Sequence, residues 1–366
     1  MYHLLCVIFL LCLNINTHAD NNSDYENIRN QMRPGYNGLP LPLEKPLYIS
    51  ICFFDIQGKN GEFYNRAKDT ALIAQRWNVF INYKVFMDER LVSEHFKAKE
   101  CEAAAMLTTR AAQFNAFIGT IDAIGAINSY EQMKLTLKTL LDPRLIPFTI
   151  TEPYQVLFVI PIGANFLFLK NKTINSIERM ANKKFAVLDW DKSRSMIVEK
   201  IGGQARTADL SNIFGLFNNG HTDIVALPAL IFQPFEMARG LGSEGGIFQP
   251  PISQMTASLV INRDLLKLKL PDLDSKLDIF RAIQTQFFDQ LIDQLFSNIM
   301  KIESNIPERY WVKPSPQNLA SFESVLREAR ISLAIDGYYD YRMLKILKKV
   351  RCKTNPSHHE CSENRE

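Results

Sequence analysis

The chain has 366 residues, enough for two domains that each bury a core of their own. Hydrophobic residues make up 46% of the sequence and charged residues 22%, which is ordinary for a globular protein and excludes a largely disordered chain. The formal net charge is +3 and the basic residues are scattered, so we expect no nucleic acid partner. We interpret the densest basic cluster, within residues 345–353, as a solvated helix face, with an acidic or nucleic acid partner as the alternative.

The start of the chain has the pattern of a secretory signal peptide. The apolar run Leu4–Leu13 is too short to span a bilayer, and Thr17 and Ala19 are small residues where signal peptidase requires them. Cys12 lacks the small residue expected before a lipid-modified cysteine. We therefore predict a signal peptide at residues 1–19, a soluble protein exported to the periplasm, and an extended proline-rich lead-in at residues 20–46.

Predicted strands alternate with predicted helices after the lead-in, and the same order occurs twice. The first series is a strand at Tyr48–Phe54, a helix near Phe63–Trp77, a strand at Val79–Phe86, a helix ending at Phe96 and a strand after Glu102. The second is a strand at Phe185–Leu188, a helix near Arg194–Ile201, a strand at Gln204–Thr207, a helix ending at Phe217 and a strand after Asp223. Such alternation predicts an α/β fold with two lobes, each a mostly parallel sheet flanked by helices.

Two apolar segments are candidates for strands that cross between the lobes at a hinge. Tyr154–Leu169 is interrupted at Pro161 and Gly163, where a strand can bend, and Gln254–Ile261 follows a glycine-rich loop. Helical spacing then continues through Leu273–Asn305, Asn318–Asp336 and Arg342–Val350. We predict lobe 1 at residues 47–155 and lobe 2 at residues 156–255. Residues 256–366 are predicted to form a return strand and helices that pack on lobe 1 and across the hinge.

Cysteine usage indicates disulfide bonds. Removal of the signal peptide leaves Cys52, Cys101, Cys352 and Cys361. An even number in an oxidising compartment favours disulfides, and four cysteines allow three pairings. The first and third strands of such a lobe commonly lie side by side, so we predict a bond between Cys52 and Cys101, which leaves Cys352 with Cys361. The alternative is a zinc site formed by the last two cysteines with His358 and His359. Export favours the disulfide, and we expect no metal and no cofactor.

Three further runs resemble a known family. They are Gly119–Ala126 after the third strand, Lys183–Val187 at the opening of the second lobe, and Asn219–Asp223. Together they are similar to solute-binding proteins of tripartite ATP-independent periplasmic (TRAP) transporters. At these places, that family has small residues after the third strand, a Gly-Lys-Lys-x-Arg-Val strand and a Gly-x-x-Asp turn. The likeness spans Leu47–Val350, and Asp55–Gly61 resembles a less described TRAP-like branch.

The resemblance implies an exported protein that captures a small solute in a cleft between the lobes. It would close on the ligand by a hinge and deliver it to integral membrane transporter subunits, acting as a monomer. The solute of such proteins is commonly an organic acid. The alternatives are a ligand-binding receptor or scaffold without transport, and a secreted enzyme that uses the cleft. The sequence contains no His-Glu-x-x-His, Gly-x-Ser-x-Gly or phosphate-loop motif, so we predict that the protein is not an enzyme.

Candidate ligand-binding residues follow from where open α/β sheets bind ligands. The site lies beyond the carboxyl ends of the strands, where helix N-termini offer N–H groups. The residues at such ends, or where the chain crosses between lobes, are Asp55, Gln57, Arg110, Asn165, Asp189, Pro228 and Gln254. Several have a structural alternative. Asp55 and Asp189 would cap the following helices. Arg110 would pair with Glu102 or Asp122, and Asn165 would satisfy backbone groups at the hinge.

One departure from the family pattern concerns the ligand itself. The resemblance implies a carboxylate-binding arginine at the fifth position of the Gly-Lys-Lys-x-Arg-Val strand, and this chain has Ala186 there. Either the ligand is not an organic acid of the usual kind, or Arg110 or Arg194 takes over the role.

Overall fold

The computed structural model describes residues 30–366, which divide into two compact units. The first unit contains the described residues up to 106 together with 138–160 and 258–298. The second contains residues 107–137, 161–257 and 299–366. The predicted signal peptide at residues 1–19 and the start of the predicted lead-in lie outside the described residues. The lobe boundaries at residues 47–155 and 156–255 stay predictions.

The described strands and helices alternate as expected for an α/β fold. The strands are β1 Leu47–Phe54, β2 Val79–Phe86, β3 Ala103–Leu107, β4 Ile150–Thr151, β5 Tyr154–Leu169, β6 Lys184–Leu188, β7 Gln204–Ala208, β8 Ile224–Pro228, β9 Gly246–Asn262 and β10 Trp311–Val312. The α-helices are α1 Glu62–Ala74, α2 Glu89–Lys97, α3 Thr108–Ala111, α4 Ala116–Gly119, α5 Tyr130–Thr139, α6 Ile177–Met180, α7 Lys192–Lys200, α8 Leu210–Asn218, α9 Met237–Leu241, α10 Arg263–Lys269, α11 Leu273–Ser304, α12 Pro316–Ile335 and α13 Tyr341–Thr354. The fold-class prediction is confirmed.

Strand β1 lies between β2 and β3 in the first unit, and both pairings are parallel. Leu47, Ile49 and Ile51–Phe53 of this strand are buried, whereas Tyr48 is exposed. Cys52 lies opposite Ala104 of β3 and is bonded to Cys101, just before that strand. The predicted Cys52–Cys101 disulfide is therefore confirmed, because the first and third strands are neighbours.

The sheet of the second unit is mostly parallel. Strand β8 pairs antiparallel with β5 and parallel with β6, and β6 pairs parallel with β7. One core of this unit lies between the sheet and helix α12, where Phe185 of β6 packs in the same apolar cluster as Phe322 and Leu326. Burial of such side chains, each worth about 1.5–3 kcal/mol, is the main force that holds this helix on the sheet.

Two long strands run from one unit into the other. The boundary between the units falls after Ile160 within β5 and after Ala257 within β9. The predicted crossing segments, Tyr154–Leu169 and Gln254–Ile261, are β5 and part of β9. Gly163, where we expected a bend, has a φ of +144°, a conformation that glycine adopts more readily than other residues.

The C-terminal region is helical, as the spacing predicted. No helix in residues 30–366 is long and apolar enough to cross a membrane. In the basic cluster, Lys345, Lys349 and Lys353 are exposed, in agreement with a solvated face. That interpretation is wrong for Arg351, which is buried because it forms ion pairs with Glu360 and Glu366.

Cys352 and Cys361 form the second disulfide, as predicted. Both sulfurs are used in this bond, so the alternative zinc site with His358 and His359 is wrong. In the part of the chain that the structure describes, no group of three or more His, Cys, Asp or Glu side chains is arranged to hold a metal ion.

Candidate ligand-binding site

Asp55, in the first unit, contacts the start of the helix that follows it. The carboxylate is buried and accepts hydrogen bonds from the backbone N–H groups of Gln57 and Tyr64, both at 2.9 Å. A Cβ atom at Gly61 would lie 1.9 Å from Asp55 Oδ1, so this close approach requires glycine. Asp55 thus binds a backbone N–H in the first turn of α1, although the N-cap residue of that helix is Gly61. Gln57 is exposed, and a ligand at either residue stays a prediction.

The acid that caps α7 is Asp191, two residues beyond the predicted one. Asp189 is exposed, and its backbone N–H is bonded to the carbonyl of Ala208. Asp191 accepts hydrogen bonds from the backbone N–H of Arg194 at 3.0 Å and from the hydroxyl of Ser193 at 2.6 Å. The capping alternative for Asp189 is therefore wrong, because the helix begins one residue after Asp191.

Arg194 is held in one orientation by its neighbours in the second unit. Its Nε donates to Asp191 Oδ2 at 2.8 Å, and its Nη2 donates to the hydroxyl of Ser253 at 2.9 Å. The arginine side chain is 18% exposed and that of Asp191 is 8% exposed. A guanidinium that is fixed on two sides and still accessible loses little entropy when it binds an anion.

The structure brings three other predicted site residues together next to Ser253. Asn165 of β5 lies opposite Pro228 of β8, and its Nδ2 donates to Ser253 Oγ at 3.1 Å and to the carbonyl of Gln254 at 3.4 Å. The side-chain oxygens of Asn165 and Gln254 are buried and accept no hydrogen bond from the described protein. Such buried acceptors normally bind a donor, from water or from a ligand. Ligand binding by all three residues stays a prediction.

A cavity of about 160 Å³, lined by both polar and apolar groups, borders Arg194 in the second unit. Its wall comes from the segment after α4, the start of α7 and the turn before α13. The polar lining includes Asp122, Trp190, Asp191, Ser193, Arg194 and Tyr339. The strand-end rule pointed to this region, but we did not propose Asp122, Trp190, Asp191 or Tyr339 as ligand-binding residues.

Asp122 is the most deeply buried carboxyl of this wall. It is 5% exposed and accepts hydrogen bonds from the backbone N–H and the hydroxyl of Thr256, both at 3.0 Å. Burial raises the pKa of Asp122 to about 7, although the hydrogen bonds from Thr256 oppose this rise. The cavity therefore contains a carboxyl group whose charge changes near neutral pH.

Arg110 adds positive charge behind the cavity wall. Its guanidinium lies 3.8 Å from the centre of the Trp190 ring, a cation–π contact. The indole Nε1–H of Trp190 is buried and has no hydrogen-bond partner in residues 30–366. Glu102, one acid that we considered for Arg110, forms an ion pair with Lys269 at 2.7 Å in the first unit.

Ala186, at the position of the family arginine, is surrounded by apolar groups. It is 6% exposed and lies opposite the fully buried Val225 in β8. A smaller cavity of about 60 Å³ borders Ala186 and is lined almost entirely by apolar side chains, with Arg194 as the exception. Arg194 thus lines both cavities, whereas the predicted arginine position itself carries no charge.

The sequence matches a family model and curated proteins of known class. The model for solute-binding protein AdeT 1/2 matches residues 67–366. A protein of Acinetobacter baumannii named probable solute-binding protein AdeT1 is 35% identical over 313 residues, which cover 86% of this chain and 100% of that protein. The probable solute-binding protein AdeT2 of the same organism is 23% identical over 249 residues, 68% of this chain and 100% of that protein.

Solved structures share the fold at low sequence identity. A TRAP periplasmic solute-binding protein from Desulfovibrio salexigens, with bound orotic acid, has a TM-score of 0.63 and 15% identity, and the match covers 84% of this chain and 99% of that chain. One from Roseobacter denitrificans, with bound 3-deoxy-D-manno-oct-2-ulosonic acid, has a TM-score of 0.65 and 11% identity, with coverage of 83% and 99%. The chain thus has the two-lobed fold of TRAP periplasmic solute-binding proteins and belongs to the AdeT 1/2 family of solute-binding proteins.

Proposed function

We propose that this solute-binding protein captures a small organic acid at Arg194 and delivers it to an integral membrane transporter. The observation that carries the proposal is the fixed guanidinium of Arg194 at the wall of a cavity. A guanidinium in this setting binds a carboxylate through charge-assisted hydrogen bonds, which are stronger than neutral ones. Arg194 would thus replace the arginine that the family resemblance led us to expect at Ala186.

The ligands of proteins with the same fold support the proposal that the ligand is an organic acid. The relatives from Desulfovibrio salexigens and Roseobacter denitrificans hold orotic acid and a sugar acid, and one from Shewanella oneidensis holds succinate. All three ligands carry a carboxyl group. The signal-like segment at residues 1–19 is consistent with export to the periplasm, where a membrane transporter would receive the solute.

The binding step is tested with protein purified from its native periplasm. Mass spectrometry of the co-purified small molecules identifies the acid, and calorimetry then compares wild type with Arg194→Met. We expect the variant to lose about 2–4 kcal/mol of binding free energy, because the carboxylate loses a partner in a partly buried site. Arg206→Met is the matched control, since Arg206 is exposed on β7 and does not line the cavity. Equal affinity of both variants would contradict the proposal.

The delivery step needs a separate test in cells. A strain that lacks this gene should lose uptake of the labelled acid at low external concentration, and expression of the wild-type chain should restore it. Expression of Arg194→Met should not restore uptake, whereas Arg206→Met should. Normal uptake without the gene would favour a receptor or scaffold that binds its ligand without transport.

A further inference from the structure

The volume of the Arg194 cavity indicates the size of ligand that it would enclose. The cavity measures about 160 Å³. An apolar engineered cavity of about 150 Å³ holds one benzene molecule, so this one suits a ligand of about six to eight non-hydrogen atoms. Such a ligand is smaller than the sugar acid bound by the Roseobacter relative.

The charges of the wall are not balanced by a carboxylate ligand alone. Asp191 already pairs with the guanidinium of Arg194 and accepts hydrogen bonds from the backbone N–H of Arg194 and the hydroxyl of Ser193. Asp122 is a second carboxyl, and its hydrogen-bond donors are the backbone and hydroxyl of Thr256. No lysine or arginine of the described chain forms an ion pair with Asp122. The positive charge of Arg194 favours the charged form of Asp122, and Lys192 also lines the cavity. A negatively charged ligand on Arg194 would offset the charge of that arginine and bring a second anion towards this buried carboxyl.

N–H donors at the start of α7 and the carboxyl of Asp122 line the same cavity from different elements. Arg194 and Trp190, at the start of α7, offer N–H donors, and the indole Nε1–H is buried without a partner in the described residues. Asp122, after α4, offers carboxylate oxygens. A ligand that carries both a negative and a positive group would satisfy the two sides at once.

We infer that the cavity binds a small zwitterionic amino acid, with its carboxylate on Arg194 and its ammonium group on Asp122. The inference rests on the proposed function, because both assign the ligand carboxylate to Arg194. It adds the chemical class of the ligand and a role for Asp122 as the residue that selects an ammonium group.

The titration of Asp122 gives this inference a distinctive pH dependence. The charged and titratable groups that line the cavity with it are Asp191, Lys192 and Arg194 from the start of α7 and Tyr338 and Tyr339 from the turn before α13. Burial raises the pKa of Tyr339 above its usual range, so the phenol stays neutral. An ammonium ligand binds the charged form of Asp122, so its affinity should increase as the pH rises through about 7. The affinity of an acid without an ammonium group should decrease over the same range.

Calorimetry with matched probes tests the inference on the full chain. L-alanine and L-serine are compared with L-lactate and L-glycerate, in which a hydroxyl replaces the ammonium group. At about pH 8, we expect each amino acid to bind at least about tenfold more tightly than its hydroxy acid, as for one charge-assisted hydrogen bond. Asp122→Asn should remove this preference, and Arg194→Met should weaken the binding of all four probes.

The outcomes separate this inference from the proposed function. Hydroxy acids that bind as tightly as the amino acids, with binding still lost in Arg194→Met, would overturn the inference and leave the proposed function intact. Probes that bind equally well to wild type and Arg194→Met would overturn both. Absence of binding by every probe up to about 10 mM would overturn the assigned ligand class.

A second variant covers the case in which Asp122→Asn does not fold. Thr256→Val keeps the carboxyl of Asp122 and removes one hydrogen bond to it, which should raise the pKa of Asp122 further. The pH at which L-alanine binding tightens should then shift upward. An unchanged pH profile in Thr256→Val would contradict a direct contact between the ammonium group and Asp122.

Discussion

Arg351 and Glu360 are joined by two parallel hydrogen bonds in the interior of the second unit, from Nε to Oε1 and from Nη2 to Oε2, both at 2.8 Å. The Nη1 of Arg351 also donates to the carbonyl of Ala126 at 2.9 Å. The neighbouring Arg330 donates to the carbonyl of Ile124 and to Glu366. The C-terminal segment thus holds the turn that follows Asp122.

The first prediction concerns the stability that this buried pair supports. Arg351→Met should lower the free energy of unfolding by about 3–5 kcal/mol, because the buried carboxylates of Glu360 and Glu366 would both lose a hydrogen-bonded cation, and Arg327 and Arg330 are 3.8 Å from Glu360. The exposed pair of Arg365 with Glu328 provides the control, and Arg365→Met should cost at most about 1 kcal/mol. Urea unfolding followed by circular dichroism measures both. Equal losses in the two variants would show that the burial of Arg351 does not matter.

The second prediction concerns the dependence of stability on pH. Burial raises the pKa of Glu303 to about 7, opposed by the hydrogen bond that Tyr130 donates to it. The pKa is higher in the folded state than in the unfolded state, so the protonated carboxyl contributes stability that is present below about pH 4.3 and is lost as the pH rises through about 7.

Glu303→Gln should therefore gain stability relative to wild type as the pH increases. We expect the difference in unfolding free energy between variant and wild type to change by on the order of 2 kcal/mol from about pH 5 to about pH 8. Glu328→Gln is the control, because Glu328 is exposed and its pKa is lowered, chiefly by the hydrogen bond from Arg365. If the unfolding free energy of Glu303→Gln depends on pH in the same way as that of wild type, Glu303 is already ionised at neutral pH.

The third prediction compares the two disulfides. The bond between Cys52 and Cys101 joins residues 49 apart, and the bond between Cys352 and Cys361 joins residues 9 apart. Loss of the first bond, by paired substitution with alanine, should cost about 2–4 kcal/mol, since the longer loop restricts the unfolded chain more. Loss of the second should cost about 1.5 kcal/mol less in the same model. Chemical unfolding of the two double variants measures the order, and the reverse order would contradict the loop-length argument.

The fold was predictable where local patterns and pairing rules agree. The alternation around Val79–Phe86 predicted β2 with its observed bounds, and the adjacency of the first and third strands led to the Cys52–Cys101 bond. The interior position of Arg351 was not predictable, because the basic pattern of α13 is typical of an exposed face. Its partners, Glu360 and Glu366, lie in a segment with little regular structure.

The sequence predicted the region of the site but not the individual residues that line it. The strand-end rule selected the loop after β6, but two acids follow that strand, and only the helix start distinguishes Asp191 from Asp189. Asp191 at the N-cap position, with Ser193 and Arg194 after it, was a signal that could have been read. Asp122 was considered only as an ion-pair partner, because its distance from Arg194 depends on tertiary structure. Nothing local in the sequence marks it as a cavity residue.

The last prediction tests whether Arg194 binds the ligand carboxylate in place of the arginine that the family resemblance implies at residue 186. Ala186→Arg restores the residue that the family resemblance implies, but the side chain would enter an apolar environment beside Val225. We expect a loss of about 3–5 kcal/mol in unfolding free energy, as for an unpaired buried charge, and no gain in affinity for succinate. Lys184→Arg is the control on the same strand, because Lys184 is exposed and should tolerate the change. A stable Ala186→Arg protein that binds succinate more tightly than wild type would show that residue 186 still faces the ligand, and would remove the reason for assigning the carboxylate to Arg194.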